Sequence, residues 1–197
     1  VGTPARVPPP ALVTAAQSGA PGTTPKLLVF WRVLADPTGP RLGPGEIRCA
    51  TLEVGADGPT LVSAPKLEFD LVAAAAVTTP EGDVLLIGTP AGADGDDGST
   101  IHVWRIRPSG PELLEKVTYE REGFTGGAGV AALSATYAGD RLLIVAQIGG
   151  AIRYCAKESG AWSKWEDLAR VPTEQKAVVY GWGASLLALS GALVVQG

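Results

Sequence analysis

The densest chemistry in the chain lies in Asp94-Gly95-Asp96-Asp97-Gly98-Ser99, where three carboxylates fall within four residues. Hard oxygen ligands at that spacing can hold calcium. The run lacks the regular third ligand and the closing Glu of an EF-hand loop, and its glycines let like charges spread into water. A solvated acidic turn is therefore expected, with no required metal. The only histidine, His102, takes the strand position that Arg48 and Arg153 take in neighbouring segments, so it reads as a strand residue rather than a general base. Neither a Gly-x-Ser-x-Gly elbow nor a phosphate-binding Gly-x-x-x-x-Gly-Lys occurs, so nucleophilic and nucleotide chemistry have no starting point. A glycosidase needs two carboxylates facing one bond, and the spacing singles out no such pair. No catalytic residue and no cofactor is assigned.

The five tryptophans are more informative: Trp31, Trp104, Trp162, Trp165 and Trp182. An indole face can stack on the apolar C–H surface of a sugar ring, and it can equally fill space between sheets. Trp31 and Trp104 fall inside apolar strands and read as packing. Trp182 sits in Gly181-Trp182-Gly183, a turn where core packing explains it poorly. With Tyr180 and Arg153 it forms the candidate ligand-binding set.

Such residues must be positioned by strands. Of 197 residues, 46% are hydrophobic and only 18% charged, and 26 Gly and 16 Pro punctuate the chain, a profile of many short strands joined by turns. The formal net charge is −4 without a basic stripe, which argues against nucleic acid as a partner. Apolar runs such as 72–77 and 84–87 are far shorter than the roughly 20 residues that span a bilayer, so no membrane insertion is expected. The chain opens Val1-Gly2-Thr3-Pro4 and contains no Met, as expected for a processed precursor or one piece of a larger protein.

Four apolar segments share one pattern, at 26–30, 83–87, 141–145 and 185–189, each bounded by Gly or Pro. A second strand opens on a small residue after each, at 45–48, 99–102, 150–153 and 191–194. A small-residue strand precedes each, at 11–14, 72–75, 130–133 and 177–180. A fourth strand follows in three units, at 60–62, 112–117 and 162–168. Roughly 45–60 residues of four strands is the size of a propeller blade. The expected fold is an all-β propeller of about four four-stranded antiparallel blades, 11–68, 69–123, 124–171 and 172–197 with a stub at 1–10. It is read as one domain, either a closed small ring or part of a larger one. The tetrapeptide 169–172, Ala-Arg-Val-Pro, recurs at 5–8, so the chain begins just after an outer strand. Cys49 and Cys155 belong to non-adjacent blades, at positions one residue apart in register. Successive strand residues face opposite sides of a sheet, so both are expected as free thiols.

The stretch 139–196 resembles the repeat of bacterial propeller lectins, through Gly139, Leu142, Ile144, Gly150, Ile152, Tyr154, Gly160, Trp162, Trp165 and Leu168. That resemblance implies carbohydrate recognition at or between blades. The second unit is similar instead to the FG-GAP repeat of integrin-like propellers, through Phe69, 72–76, 85–90, Gly98, Ile101 and Val103; the calcium loop it implies falls near 79–83, where only Glu81 and Asp83 supply carboxylates. Asp96-x-Gly98-x-Thr100 resembles a sialidase Asp box, a structural motif, with Asp94 in place of Ser or Thr and Ile101 in place of the aromatic. The expected function is non-enzymatic glycan binding. The alternative is a protein-interaction or accessory domain, with a protein partner or other parts of a larger chain.

Overall fold

The computed structural model describes residues 13–19, 23–35, 45–64, 67–91, 100–119, 130–148, 151–170, 185–189 and 192–196. Every regular element in them is a strand. The first sheet runs β1 (Val13–Ser18), β2 (Lys26–Leu34), β3 (Gly45–Gly55), β4 (Gly58–Ser63), and the second β5 (Leu71–Thr78), β6 (Val84–Pro90), β7 (Thr100–Arg107), β8 (Gly110–Thr118). The third runs β9 (Val130–Ala138), β10 (Arg141–Ile148), β11 (Ala151–Glu158), with both β12 (Ala161–Trp162) and β13 (Glu166–Arg170) on the outer side of β11. A two-stranded sheet of β14 (Ser185–Leu189) and β15 (Ala192–Gln196) follows. All pairings are antiparallel and, apart from that of β13 with β11, join chain neighbours, so each sheet is essentially a meander.

The sheets stack as propeller blades, with their first strands together: β1 lies against β5, β5 against β9, and β14 against β9. Small side chains allow that approach, and β5 reads Leu-Val-Ala-Ala-Ala-Ala-Val-Thr. Polar bonds fix it, from Ala76 N–H to Thr14 Oγ1 (2.9 Å), from Thr78 Oγ1 to Gln17 O, and from Gly19 N–H to Gly82 O (3.1 Å). Among the described residues the last sheet makes no comparable contact with the first, so these sheets form an arc and not a closed ring.

Side-chain alternation divides the core in two. Between the first and second sheets lie Leu28, Phe30, Ile47 and Cys49 against Val84, Leu86, Trp104 and Ile106. Between the second and third lie Leu85, Ile87, Ile101 and Val103 against Leu142, Ile144, Ala146 and Cys155. β6 is therefore covered on both faces and buries six residues in succession, which is why its sequence is a continuous apolar run. Each fully buried Leu or Ile contributes about 1.5–3 kcal/mol. Gly88 ends that run because β5 passes too close for a side chain: a Cβ there would meet Ala73 O at 2.7 Å.

Pairing falls at positions that the sequence pattern puts in correspondence. Leu27 faces Leu52, Val84 faces Ile106 and Leu142 faces Lys157; four residues along, Trp31 faces Arg48, Gly88 faces His102 and Ala146 faces Arg153. Two expectations are corrected. The first strand, expected to end at 14, continues through Gln17 and Ser18, which pair with Leu27 and Lys26, while residues 11 and 12 lie outside the described residues. The outer strand expected at 162–168 is broken between β12 and β13, because Ser163 takes both ladder groups of Ala156 itself, donating its N–H to Ala156 O (2.8 Å) and accepting Ala156 N–H on Oγ (3.0 Å).

Candidate functional site

The seam between the second and third blades concentrates polar and aromatic groups at the protein surface. Glu115 on β8 stands opposite Val103, so it faces the third blade. One carboxylate oxygen, Oε2, accepts the indole N–H of Trp162 on β12 at 2.6 Å, and the other, Oε1, pairs with the ammonium of Lys157 on β11. Lys157 Nζ also lies 6.0 Å from the centre of the Trp162 ring, within cation–π range. Both members of the ion pair are about one-third exposed, with side-chain accessibilities of 27% and 32%. Trp165 supports the far side, donating to Thr118 O at 3.1 Å with its ring edge-on to the buried Tyr119.

Toward the hairpin ends the seam continues to Tyr137 on β9. Burial raises its phenol pKa above the ordinary value, the carboxylates of Glu81 and Glu115 raise it further, and Arg105 opposes them. Arg105 in turn lies 3.4 Å from Asp83. Five strands thus deliver a carboxylate, an ammonium, a guanidinium, a phenol and an indole to one edge. Such a set can hydrogen-bond a ligand bearing several hydroxyls and cover one of its apolar faces.

Of the sequence-predicted set, Tyr180 and Trp182 lie outside the described residues. Arg153 is on β11, with its guanidinium on Asp167 of β13 at 2.8 Å; next to it, Tyr154 donates its hydroxyl to Glu166 at 2.6 Å, the bond that does most to raise the Tyr154 pKa. The acidic loop 94–99 also lies outside the described residues. The turn at 79–83 is closed by its own bonds, Thr79 N–H to Asp83 O (2.8 Å) and Gly82 N–H to Thr79 O (2.9 Å), and Asp83 faces Arg105. Among the described residues no group of three or more His, Cys, Asp or Glu could hold a metal ion. His102 is nearly buried, its ring tilted against Trp104 with centroids 5.2 Å apart. No helix of the described residues is long and apolar enough to cross a membrane.

Sequence reasoning quoted Trp162 and Trp165 but passed over Glu115, Tyr137 and Lys157. One signal was available. Lys157 stands where the pattern puts Leu52 and Ile106 in the other blades, a charge at a position that faces the preceding sheet.

No family model and no curated protein matches this chain. Among solved structures it is similar to the fucose-specific lectin from Aleuria aurantia in its mercury-derivative form, at 14% identity and a TM-score of 0.44. That similarity covers 80% of this chain and 44% of the lectin's, so this chain spans less than half the length of the lectin it matches. A likeness at this level says nothing about the ligand.

Proposed function

We propose that this chain is a non-enzymatic binding propeller that recognises a neutral carbohydrate, with the seam between the second and third blades as its contact surface. The observation that supports this best is Glu115, held between Lys157 and the Trp162 indole at an open edge. A carboxylate fixed through both oxygens keeps lone pairs free for ring hydroxyls without first having to be ordered, and the ammonium beside it keeps donors free. The two charges offset each other, while Glu81 and Asp83 nearby repel an anionic ligand. Arg153, Tyr180 and Trp182 are proposed as further contacts. The rival reading, a protein-interaction propeller, draws on a different feature, the exposed apolar side chains of Val54 and Leu61 on the first sheet.

A glycan array probed with the 197-residue chain, followed by titration calorimetry on the best hit, tests the proposal. Glu115→Gln keeps the shape and removes the charge. A hydrogen bond to a charged group is worth roughly 1.5–3 kcal/mol, so affinity should fall about 10- to 100-fold. Trp162→Ala should remove the signal, and Trp182→Ala tests the second set in the same assay. An array without signal, or affinity unchanged in all three variants, sinks the carbohydrate reading.

A further inference from the structure

Behind the seam, β12 leaves the ladder of the third sheet in an unusual way. Trp162 pairs with Lys157, and both reach Glu115 on the second blade. In a regular antiparallel ladder the next two residues, Ser163 and Ala156, would each give an N–H to the other's carbonyl. Only one of those bonds forms, from Ser163 N–H to Ala156 O at 2.8 Å. Ala156 N–H goes instead to the Ser163 hydroxyl, Oγ, at 3.0 Å, and that hydroxyl donates its own proton to Lys164 O at 2.9 Å. A side-chain oxygen thus stands in for the main-chain carbonyl, a competition for which serine is suited. Pairing resumes with Glu166 opposite Tyr154. A regular strand would have set Trp165 opposite Tyr154, on the side of the sheet away from Lys157 and the second blade. The one extra residue re-aims it. Trp165 then donates to Thr118 O at 3.1 Å and meets the Tyr119 ring edge-on.

We propose that Ser163 is the positioning residue of the seam: its hydroxyl selects the side of the third sheet on which Trp165 lies. It thereby decides whether the outer strands of the two blades are tied at one point or at two. Ala156 is 4% exposed, so its N–H needs a protein acceptor. Without the hydroxyl, the acceptor that keeps every ladder group paired is the backbone carbonyl of residue 163. The regular ladder returns, and Trp165 turns away. Trp162 lies before the break and keeps its place beside Glu115. The consequence for ligand affinity rests on the carbohydrate reading above, whereas the placement of the indole does not.

The two indole N–H resonances of the isotope-labelled 197-residue chain, assigned with Trp162→Phe and Trp165→Phe, test this. Ser163→Ala should displace the Trp165 resonance and speed its exchange with water on the order of tenfold or more, while the Trp162 resonance stays where it is. Ser163→Thr retains the hydroxyl and should give the wild-type pattern. A sugar found on the array should bind Ser163→Ala about tenfold more weakly and Ser163→Thr as it binds the wild type, because a looser seam must be ordered on binding. A general loss of stability would move both indoles together, so that result overturns the proposal. So do two unmoved resonances in Ser163→Ala, a Ser163→Thr spectrum that matches it, or a sugar that binds Ser163→Ala and wild type equally. The spectra need no ligand, so an array without signal sinks the carbohydrate reading and leaves the positioning role to be decided by the indoles.

Discussion

Removing the carboxylate of Asp70 should be among the costliest single changes in the described part of the chain. Arg32 on β2 is 2% exposed and Asp70, just before β5, is 12% exposed. Their contact is bidentate, Nε to Oδ1 and Nη2 to Oδ2, both at 2.6 Å, and Asp70 Oδ2 also accepts the N–H of Gly45 at 2.9 Å. The pair therefore ties β2, the start of β3 and the segment leading into the second blade to one carboxylate. Asp70→Ala takes the carboxylate from a guanidinium in a site from which water is largely excluded, and breaking such a pair from one side costs about 3–5 kcal/mol. Changing Arg32→Met and Asp70→Ala together removes both charges, and the double variant should recover much of that loss. Urea denaturation followed by circular dichroism measures all three variants, and the double-mutant cycle yields the coupling. A loss below about 1 kcal/mol for Asp70→Ala, or a double variant no better than the single, would falsify the clamp, because solvent would then be satisfying the arginine.

Gly88→Ala should destabilise by about 1–3 kcal/mol in the same urea assay, since the new methyl meets the Ala73 carbonyl at 2.7 Å and Leu71 Cδ1 at 2.8 Å and β5 must shift. Cys49 and Cys155 are both free and buried, so alkylation in denaturant without reductant should add two labels per chain, and a bridged, unlabelled product would contradict the blade order. Burial pushes each thiol from 9.0 to about 12, so the folded state holds two protons that the unfolded state releases. The stability this contributes is fully present below pH 9 and is lost as pH rises toward 12, at up to about 1.4 kcal/mol per pH unit per thiol. The variant with Cys49→Ala and Cys155→Ala should show a shallower alkaline decline, and equal slopes would refute the assignment.

The strand order was legible because sheets stacked on both faces demand long apolar runs, and Leu85-Leu86-Ile87 and Leu142-Leu143-Ile144-Val145 could serve no other element so well. The free thiols were legible for the same reason. Cys49 faces the second sheet from one side and Cys155 faces it from the other, so a whole sheet separates them. The end of β1 was less legible: Gln17 and Ser18 look like turn residues, and what keeps them in the strand is pairing to β2 and a bond from Thr78, both distant in sequence. The seam was least legible. Glu115 and Lys157 are 42 residues apart, and nothing local announces that β8 and β11 bring them together.

The tryptophan pair shows how the seam depends on a fault in the ladder. In an unbroken strand, residues three apart face opposite sides of the sheet, so Trp162 and Trp165 could not both pack toward the second blade. Both do pack there, against the core that the two blades share. The break after Trp162 makes this possible. Ser163 satisfies the N–H and carbonyl of Ala156 in place of a regular ladder, and β13 resumes pairing only at Glu166 opposite Tyr154. Turning both indoles to one side gives Trp162 access to Glu115 and Trp165 access to the Thr118 carbonyl, so the outer strand of one blade grips that of its neighbour at two points. The Trp-x-x-Trp spacing is therefore readable as a requirement for a bulge. The same bulge that closes the blades together at Trp165 leaves the Trp162 indole, with its carboxylate and ammonium, at the open edge where a ligand can reach it.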